Sequence, residues 1–373
     1  MSKESQVKMF QHSEVKVRLL RLYLEKYLSI LTHSPFFNQI FVYDMFTGEG
    51  LYEDGGKGSP IIILETINTI HNASKAANKK TGHFNCHFND FDAKKVEKLQ
   101  TTISEKKLFA DELGKLSCTN EDYQVLLPKV LSQISNLKKD KAFVFIDPYG
   151  YKDISVKHIL SLLSNKKTEV LLFLPTQFMF RFESKGTPEC LKDFISELVP
   201  KEQWPKSETG VEFIENLRDG FRNALGNDFF VDSFIITRDR NQFFSLFFFT
   251  SHIYGFDRML ESKWEIDAEE GRGWYYEEAS LFNSQPKKPN TLKFEKNLMN
   301  YLKGVNRTNG EVYEFTIRNG HLVGHANDIL AKSQNDGHLQ IISSDGKPIR
   351  KGAFHIRYKD YRDESNKIKM MIK

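Results

Sequence analysis

The chain has 373 residues, enough for a catalytic-sized domain and a smaller one, with ordinary globular composition at 40% hydrophobic and 27% charged. No apolar run is long enough to span a bilayer, and the polar start Met1-Ser2-Lys3-Glu4-Ser5 lacks the apolar core of a signal peptide. A cytoplasmic protein without a membrane partner is therefore expected. The net charge of +4 hides an asymmetry: residues 286–373 hold 17 Lys/Arg against 9 Asp/Glu. A basic C-terminal segment points to a polyanion partner, with a solubilising tail as the plainer alternative. Cys86, Cys118 and Cys190 are scattered and odd in number, which suits neither a disulfide framework nor a zinc site. No metal site is expected.

Along the chain, Val17, Leu19, Leu20, Leu22, Leu24 and Leu28 recur at helical spacing, with Arg18, Arg21, Glu25 and Lys26 on the other face. They predict an amphipathic helix from Glu14 to Ile30, packed against a sheet. A first strand, from Gln39 to Tyr43, is followed by the glycine-rich stretch Gly55, Gly56 and Gly58. Ser59-Pro60 then reads as an N-cap with proline at the first helical position, opening a helix to about Ala77. Strand and helix alternate from there. Strands are expected at Phe84 to Asn89, Lys115 to Cys118, Ala142 to Ile146 and Glu169 to Leu174. Helices are expected from Ala93, Tyr123 and Lys157. The alternation implies a doubly wound, mostly parallel α/β sheet. Val231 to Thr237 and Phe243 to Thr250 are joined by five polar residues, too few for a parallel crossover, so they predict a terminal antiparallel hairpin. The run Phe243-Phe244-Ser245-Leu246-Phe247-Phe248-Phe249 reads as a strand buried on both faces.

The expected domains are residues 1–283, a linker at 284–290 (Ser284-Gln285-Pro286-Lys287-Lys288-Pro289-Asn290), and a small basic domain at 291–373. In the last, helices are expected from Leu292 to Lys303 and Leu322 to Asn335 around an irregular stretch. Leu339 to Ser343, the turn Ser344-Asp345-Gly346-Lys347, and Phe354 to Tyr358 read as a hairpin. Helices followed by a hairpin look like a winged helix, and Arg350, Lys351, Arg357 and Lys359 are its candidate nucleic-acid contacts.

Three strand ends carry the chemistry. The first strand runs into Asp44-Met45-Phe46-Thr47-Gly48-Glu49-Gly50, where glycines let a ligand approach the backbone and the following helix start favours negative charge. The second ends at Asn89-Asp90-Phe91-Asp92, where an acid can accept two hydrogen bonds from ribose hydroxyls. Asp90 is favoured for that role, because Asp92 equally fits an N-cap. Asn120, Glu121 and Asp122 after the third strand could border a base or cap the next helix. The fourth strand ends in Asp147-Pro148-Tyr149-Gly150. A related Asp-Pro-Pro-Tyr in amino-group methylases accepts hydrogen bonds from the target amine and stacks its aromatic on the base. Here a single proline puts Tyr149 one position early. A structural turn is the alternative at each place.

Taken together, Met45-Phe46-Thr47-Gly48-Glu49-Gly50, Gly58-Ser59-Pro60 and Phe145-Ile146-Asp147-Pro148-Tyr149-Gly150 resemble the three-Cys-motif partner (TcmP) proteins over roughly residues 12–280. The upstream helix with Lys16 and Tyr23-Leu24 is similar to that family's N-terminus. The resemblance implies a class I methyltransferase-like Rossmann domain, a prokaryotic or phage setting, and a neighbouring partner resembling radical-SAM enzymes. It leaves the reaction undefined and suggests phage-defence or mobile-element biology.

The residues support a methyltransferase acting on DNA or RNA with S-adenosylmethionine. Asp44, Phe46, Gly48, Gly50, Asp90 and Asp122 would hold the cofactor, and Asp147, Pro148 and Tyr149 would orient the acceptor. A non-catalytic partner of the radical-SAM-like protein is the second reading. A metal-dependent nuclease built on Asp44, Asp90 and Asp147 is the third. His321 and His325, four apart, read as a helix-surface or core pair rather than metal ligands. His83 and His87 form no defensible site. Trp264 and Trp274 flank a loop, Glu269 to Gly273, that could line an acceptor cleft or close the core.

Overall fold

The structure is a computed structural model describing residues 9–150, 152, 154–185, 189–239, 242–275, 287–345 and 349–373. Met1–Ser5, the Arg240-Asn241 part of the hairpin connection, the expected domain end at Asn283, Ser284-Gln285-Pro286 of the expected linker, and Gly346-Lys347 lie outside the described residues. The chain divides into two compact units. One comprises Met1–His252 with Gly273–Glu278, the other Ile253–Arg272 with Ala279–Lys373. Among the described residues, no helix is long and apolar enough to cross a membrane.

The first unit is built on one sheet. Five parallel strands form its centre: β1 (Ile40–Asp44), β2 (Phe84–Asn89), β3 (Gly114–Thr119), β4 (Lys141–Ile146) and β5 (Thr168–Leu174). β6 (Phe230–Asp239) and β7 (Gln242–Thr250) are the expected antiparallel hairpin, and β8 (Gly273–Tyr275) adds an edge strand. The order is β3-β2-β1-β4-β5-β7-β6-β8, with β7 inserted antiparallel between β5 and β6. This is the doubly wound, mostly parallel arrangement that the strand–helix alternation predicts, finished by the antiparallel hairpin as in class I methyltransferase-like folds. Residues Ala142 to Ile146 of β4 are wholly buried, as a central parallel strand covered on both faces requires. Ser245 to Thr250 of β7 are likewise buried, while Phe243 and Phe244 remain partly open.

Helices cover the sheet: α1 (Gln11–His33), α2 (Ser59–Ala76), α3 (Ala93–Glu105), α4 (Tyr123–Ser135) and α5 (Val156–Leu163). Three more occupy the β5–β6 connection: α6 (Thr176–Lys185), α7 (Glu189–Leu198) and α8 (Gly210–Leu225). The sequence reading assigned nothing there, although Thr209 and Glu212 form a reciprocal capping box that opens α8. α1 lays Tyr23 against Phe143 and Phe248, at ring separations of 5.9 and 4.8 Å. Each large apolar side chain buried this fully contributes about 1.5–3 kcal/mol. One expected cap moves: Gly58, not Ser59, is the N-cap of α2. Ser59 is already helical, and its side chain lies beside Asp44.

The second unit contains α9 (Ile253–Ile266), α10 (Leu292–Leu302), β9 (Arg307–Thr308), α11 (Asn309–Arg318), α12 (Val323–Asn335), β10 (Leu339–Ser343), α13 (Tyr358–Arg362) and β11 (Ile368–Ile372). Its strands form a sheet of order β10-β11-β9, antiparallel throughout. Two expectations are corrected. The stretch read as irregular holds α11, opened by a capping box in which Thr308 N donates to Glu311 Oε2 at 2.8 Å and Glu311 N to Thr308 Oγ1 at 3.1 Å. The hairpin partner of β10 is β11, not Phe354 to Tyr358. Phe354 and Ile356 are both buried, which mimics a strand's alternation. His355 between them has a left-handed φ of 53°, and its carbonyl accepts from Asn309 Nδ2 at 3.1 Å instead of a neighbouring strand.

Candidate active site at the strand ends

The carboxyl ends of β1 and β4 open into a cavity of about 340 Å³, lined by the Phe46–Tyr52 turn, Ser59, Asp147, Pro148, Tyr149, Phe173 and one face of α1. This is the size range of small-molecule sites. The turn's backbone explains its glycines. Gly48 and Gly50 take left-handed φ values of 62° and 80°. A side chain at Gly48 would meet open space, whereas one at Gly50 would lie 2.6 Å from Leu99 Cδ1. Gly48 therefore leaves room above the turn, and Gly50 lets α3 pack beneath it.

Asp44 lies under this floor at 0% exposure. Its Oδ1 accepts from Phe46 N at 3.3 Å, and its Oδ2 has no hydrogen-bond partner among the described residues. Burial pushes the carboxyl up to about 7; Ser59, the Phe46 N–H and Lys16 oppose the rise, and Asp147 adds to it.

Lys16 of α1 pairs with Asp147 Oδ2, and its Nζ sits 4.6 Å from the Phe173 ring centre. Burial works against this ammonium, but Asp147, Tyr52 and Asp44 outweigh it and hold it above its ordinary value. Asp147 is thereby fixed by one oxygen, and its Oδ1 makes no hydrogen bond among the described residues. His12, one turn before Lys16, also lines the cavity. Its ring stacks on Phe244 at 4.8 Å and on Phe10 at 5.5 Å. Burial, then Lys16 and Arg238, lower its pKa to about 4, so it is neutral at neutral pH.

Asp90 is a different kind of acid. It is 1% exposed and does not line the cavity. Its Oδ2 accepts from Gly48 N at 2.8 Å and from the Tyr149 hydroxyl at 3.3 Å, and its Oδ1 accepts from Asp92 N at 3.0 Å. Lys95 Nζ donates to the Tyr149 oxygen at 2.5 Å and lies 4.6 Å from that ring's centre. Tyr149, 55% exposed, thus bridges the β4 turn to the β2 turn. Beside Asp90, Phe91 stands 71% exposed, its carbonyl held by Asn120 Nδ2 at 2.6 Å.

The remaining candidates fall elsewhere. Asp92 and Asp122 cap α3 and α4, accepting from Lys94 N at 3.0 Å and Gln124 N at 2.8 Å. Phe46 lines the cavity and stacks on Tyr123 at 5.2 Å. Among the described residues, no group of three or more His, Cys, Asp or Glu could hold a metal ion, so Asp44, Asp90 and Asp147 do not form the carboxylate cluster of the nuclease reading. In the second unit, Arg350 and Lys351 are exposed on the β10–β11 connection, their side chains without a hydrogen bond or ion pair among the described residues. Lys359 is exposed on α13, and Arg357 is tied to the buried Asp360 at 2.7 Å. His321 and His325 approach each other at 3.3 Å through their Nδ1 atoms, and His321 stacks on Phe294 at 4.2 Å. These contacts belong to a packed core pair.

Sequence reasoning did not assign His12, Lys95 or Phe91 to the site, and knew Lys16 only through a resemblance. The available signal was on α1, where Ser13 and Lys16 are buried among Val15, Val17, Leu19 and Leu20. A lysine on the apolar face of a helix needs a partner, and that partner is Asp147.

No protein-family model matches the chain, and no curated protein matches it. Solved structures that resemble it are distant. An O-methyltransferase from Bacillus cereus in complex with SAH is 10% identical over 66% of this chain and 93% of its own, with a TM-score of 0.32. A SAM-dependent methyltransferase from Agrobacterium tumefaciens is 10% identical over 65% of this chain and 62% of its own, with a TM-score of 0.35. A human methyltransferase 10 domain containing protein is 13% identical over 64% and 84%, with a TM-score of 0.31. Likeness this remote bears on no functional question.

Proposed function

We propose that the protein is an S-adenosylmethionine-dependent methyltransferase acting on nucleic acid. The observation that carries this reading is the cavity itself. A left-handed glycine turn after β1 faces an Asp-Pro-Tyr turn after β4, at the strand ends where open α/β sheets bind ligands. The residues fit the cofactor. Gly48 leaves space for its methionine end, and the start of α2 favours a carboxylate. Asp90 would take the ribose hydroxyls once the Tyr149 hydroxyl gives way, and the exposed ring of Phe91 would meet the base. The cofactor would supply an electrophilic methyl group. Asp147, held by Lys16, would accept a hydrogen bond from the acceptor through Oδ1, and Pro148 would fix the direction of Tyr149.

The second unit, with its α-β-α-α-β-α-β order from α10 to β11, would act as a winged-helix-like module on nucleic acid. Arg350, Lys351, Arg357 and Lys359 would contact phosphates, making binding salt-sensitive.

Asp147→Asn tests the reading: methyl transfer should fall by about 100-fold or more while cofactor affinity is kept. Full activity in that variant would remove Asp147 from the chemistry. Charge reversal at Arg350 and Lys351 should weaken oligonucleotide binding and flatten its salt dependence. Unchanged binding would move the polyanion surface elsewhere.

One observation favours a second reading, a non-catalytic partner of a radical-SAM-like three-Cys-motif protein. Tyr149 is held by both Asp90 and Lys95 instead of standing free to meet an acceptor. Co-purification with such a protein, with no methyl transfer by the wild type, would support it. A phage-defence or mobile-element setting follows from the family resemblance alone.

A further inference from the structure

A column of rings runs from the cavity wall to the surface. Phe173 and His12 both line the cavity. Phe244 stacks on each of them, at 5.5 and 4.8 Å, and Phe10 stacks on His12 at 5.5 Å. A cation covers each end. Lys16 Nζ sits 4.6 Å from the Phe173 centre, and the guanidinium carbon of Arg238 sits 4.5 Å from the Phe10 centre. The two ends differ in what neutralises them. Lys16 is buried and has its anion within the chain, Asp147. Arg238 is exposed, has no ion pair or side-chain hydrogen bond among the described residues, and rests on a ring that is itself 42% exposed.

The backbone also sets Arg238 apart. Thr237 pairs with Phe243 and Asp239 with Gln242, so Arg238 is the extra residue of a β-bulge between β6 and β7. Bulges take a side chain out of the strand's alternation and recur beside active sites. Contact with the Phe10 ring restricts this long side chain, so less rotamer freedom is left to lose when an anion arrives. Its N–H groups, unused by the described residues, form the planar fork that meets a phosphate through two parallel hydrogen bonds. The charge is felt at the cavity wall: after burial and Lys16, Arg238 is the third cause that lowers the His12 pKa.

We propose that Phe10 and Arg238 form a phosphate subsite for the acceptor strand: Arg238 holds, through both arms of its guanidinium, a backbone phosphate flanking the base that enters the cavity, and Phe10 positions Arg238 for it. The proposal rests on the nucleic-acid methyltransferase reading and deepens it, because it selects the substrate class. A polynucleotide brings a flanking phosphate to the rim and a free nucleoside brings none, so the protein acts on strands. The contact is to the backbone, so it supplies affinity and register without reading sequence. It also places part of the strand's binding surface on the first unit, beside the cavity, in addition to the basic residues of the second.

The test is fluorescence anisotropy of the full-length protein with a short fluorescein-labelled RNA of mixed sequence and with the DNA strand of the same sequence. Both are titrated over a series of salt concentrations, with and without saturating S-adenosylhomocysteine. For the strand that the wild type binds more tightly, Arg238→Gln should weaken binding by about tenfold and lower the slope of log affinity against log salt by about one. Arg238→Lys should restore the slope but not the full affinity, because the charge returns without the fork. Phe10→Leu should weaken binding by about threefold and leave the slope unchanged. S-adenosylhomocysteine affinity, read by calorimetry, should be the same in every variant. Unchanged strand affinity and slope in Arg238→Gln overturn the subsite and leave the nucleic-acid reading standing. Equal losses of strand and S-adenosylhomocysteine affinity in both Arg238 variants also overturn it, because they mark a structural role. Failure of the underlying reading is seen separately: a wild type that binds neither strand removes the nucleic-acid reading, and the subsite with it.

Discussion

The ends of β2 and β4 carry the same sequence signal, an acid after an apolar strand, yet the two acids live in opposite circumstances. Asp147 faces a cavity and is neutralised by one buried lysine, with an oxygen to spare. Asp90 is sealed beneath the surface with both oxygens engaged by the chain's own N–H groups and by Tyr149. In the proposed function the first acid acts on a ligand. The second holds two loops together and must exchange a partner before it can bind one. Strand-end position brings an acid to the site, and its donors decide what it can do there.

The largest consequence concerns Lys16. Asp147→Ala leaves its ammonium buried without a partner and should lower stability by about 3 kcal/mol. The double variant Lys16→Met/Asp147→Leu should regain most of that loss, and urea unfolding of all three proteins would read the coupling. A single variant as stable as wild type would break the contrast drawn above.

The glycine turn between the two acids is graded in the same way. Gly50→Ala should cost about 2–3 kcal/mol, from a left-handed backbone and overpacking against Leu99. Gly48→Ala, with space around it, should cost only about 1 kcal/mol. Thermal unfolding distinguishes the two, and equal costs would contradict the packing described beneath Gly50.

A third consequence concerns pH. Asp44, at the carboxyl end of β1, and Glu169, near the amino end of β5, are buried acids whose pKa values are both pushed up to about 7. Glu169 accepts from Tyr23 and from Thr250 Oγ1, the latter at 2.9 Å. Because the folded pKa lies above the unfolded one, each acid's stabilising contribution is complete below about pH 4 and is lost as pH rises through about 7. Urea midpoints at pH 5 and pH 8 should therefore differ in the wild type, and less so in Asp44→Asn and in Glu169→Gln. An undiminished difference in both variants would locate the titration elsewhere.

The smallest effect sharpens the comparison most. Tyr149→Phe removes the hydroxyl that a ribose must displace from Asp90, so cofactor affinity should rise by about fivefold, roughly 1 kcal/mol. Weaker binding would mean that Tyr149 assists the ribose instead of competing with it.

Much of this was legible in the sequence. Apolar runs closed by Asp44, Asn89-Asp90 and Asp147 gave the strands and their carboxyl ends, and the short polar link before Phe243 gave the hairpin. Local pattern failed where tertiary context decides. Phe354 and Ile356 alternate like a strand, but a left-handed His355 and a side-chain bond from Asn309 take them out of the sheet. Ser59 had the chemistry of a cap, yet the helix begins a residue earlier and its side chain turns toward Asp44. The pairing of Lys16 with Asp147 spans 131 residues, and no spacing rule could reveal it. The capping boxes at Thr209 and Thr308 were readable and mark helices that the apolar periodicity alone had left out.

The central claim is that the strand-end cavity binds S-adenosylmethionine, and titration calorimetry with S-adenosylhomocysteine tests it most directly. The account predicts dissociation constants on the order of micromolar for the wild type, and loss of binding in Asp90→Ala at a temperature where that variant remains folded. Absence of binding by the folded wild-type protein, or unchanged binding in folded Asp90→Ala, would contradict it.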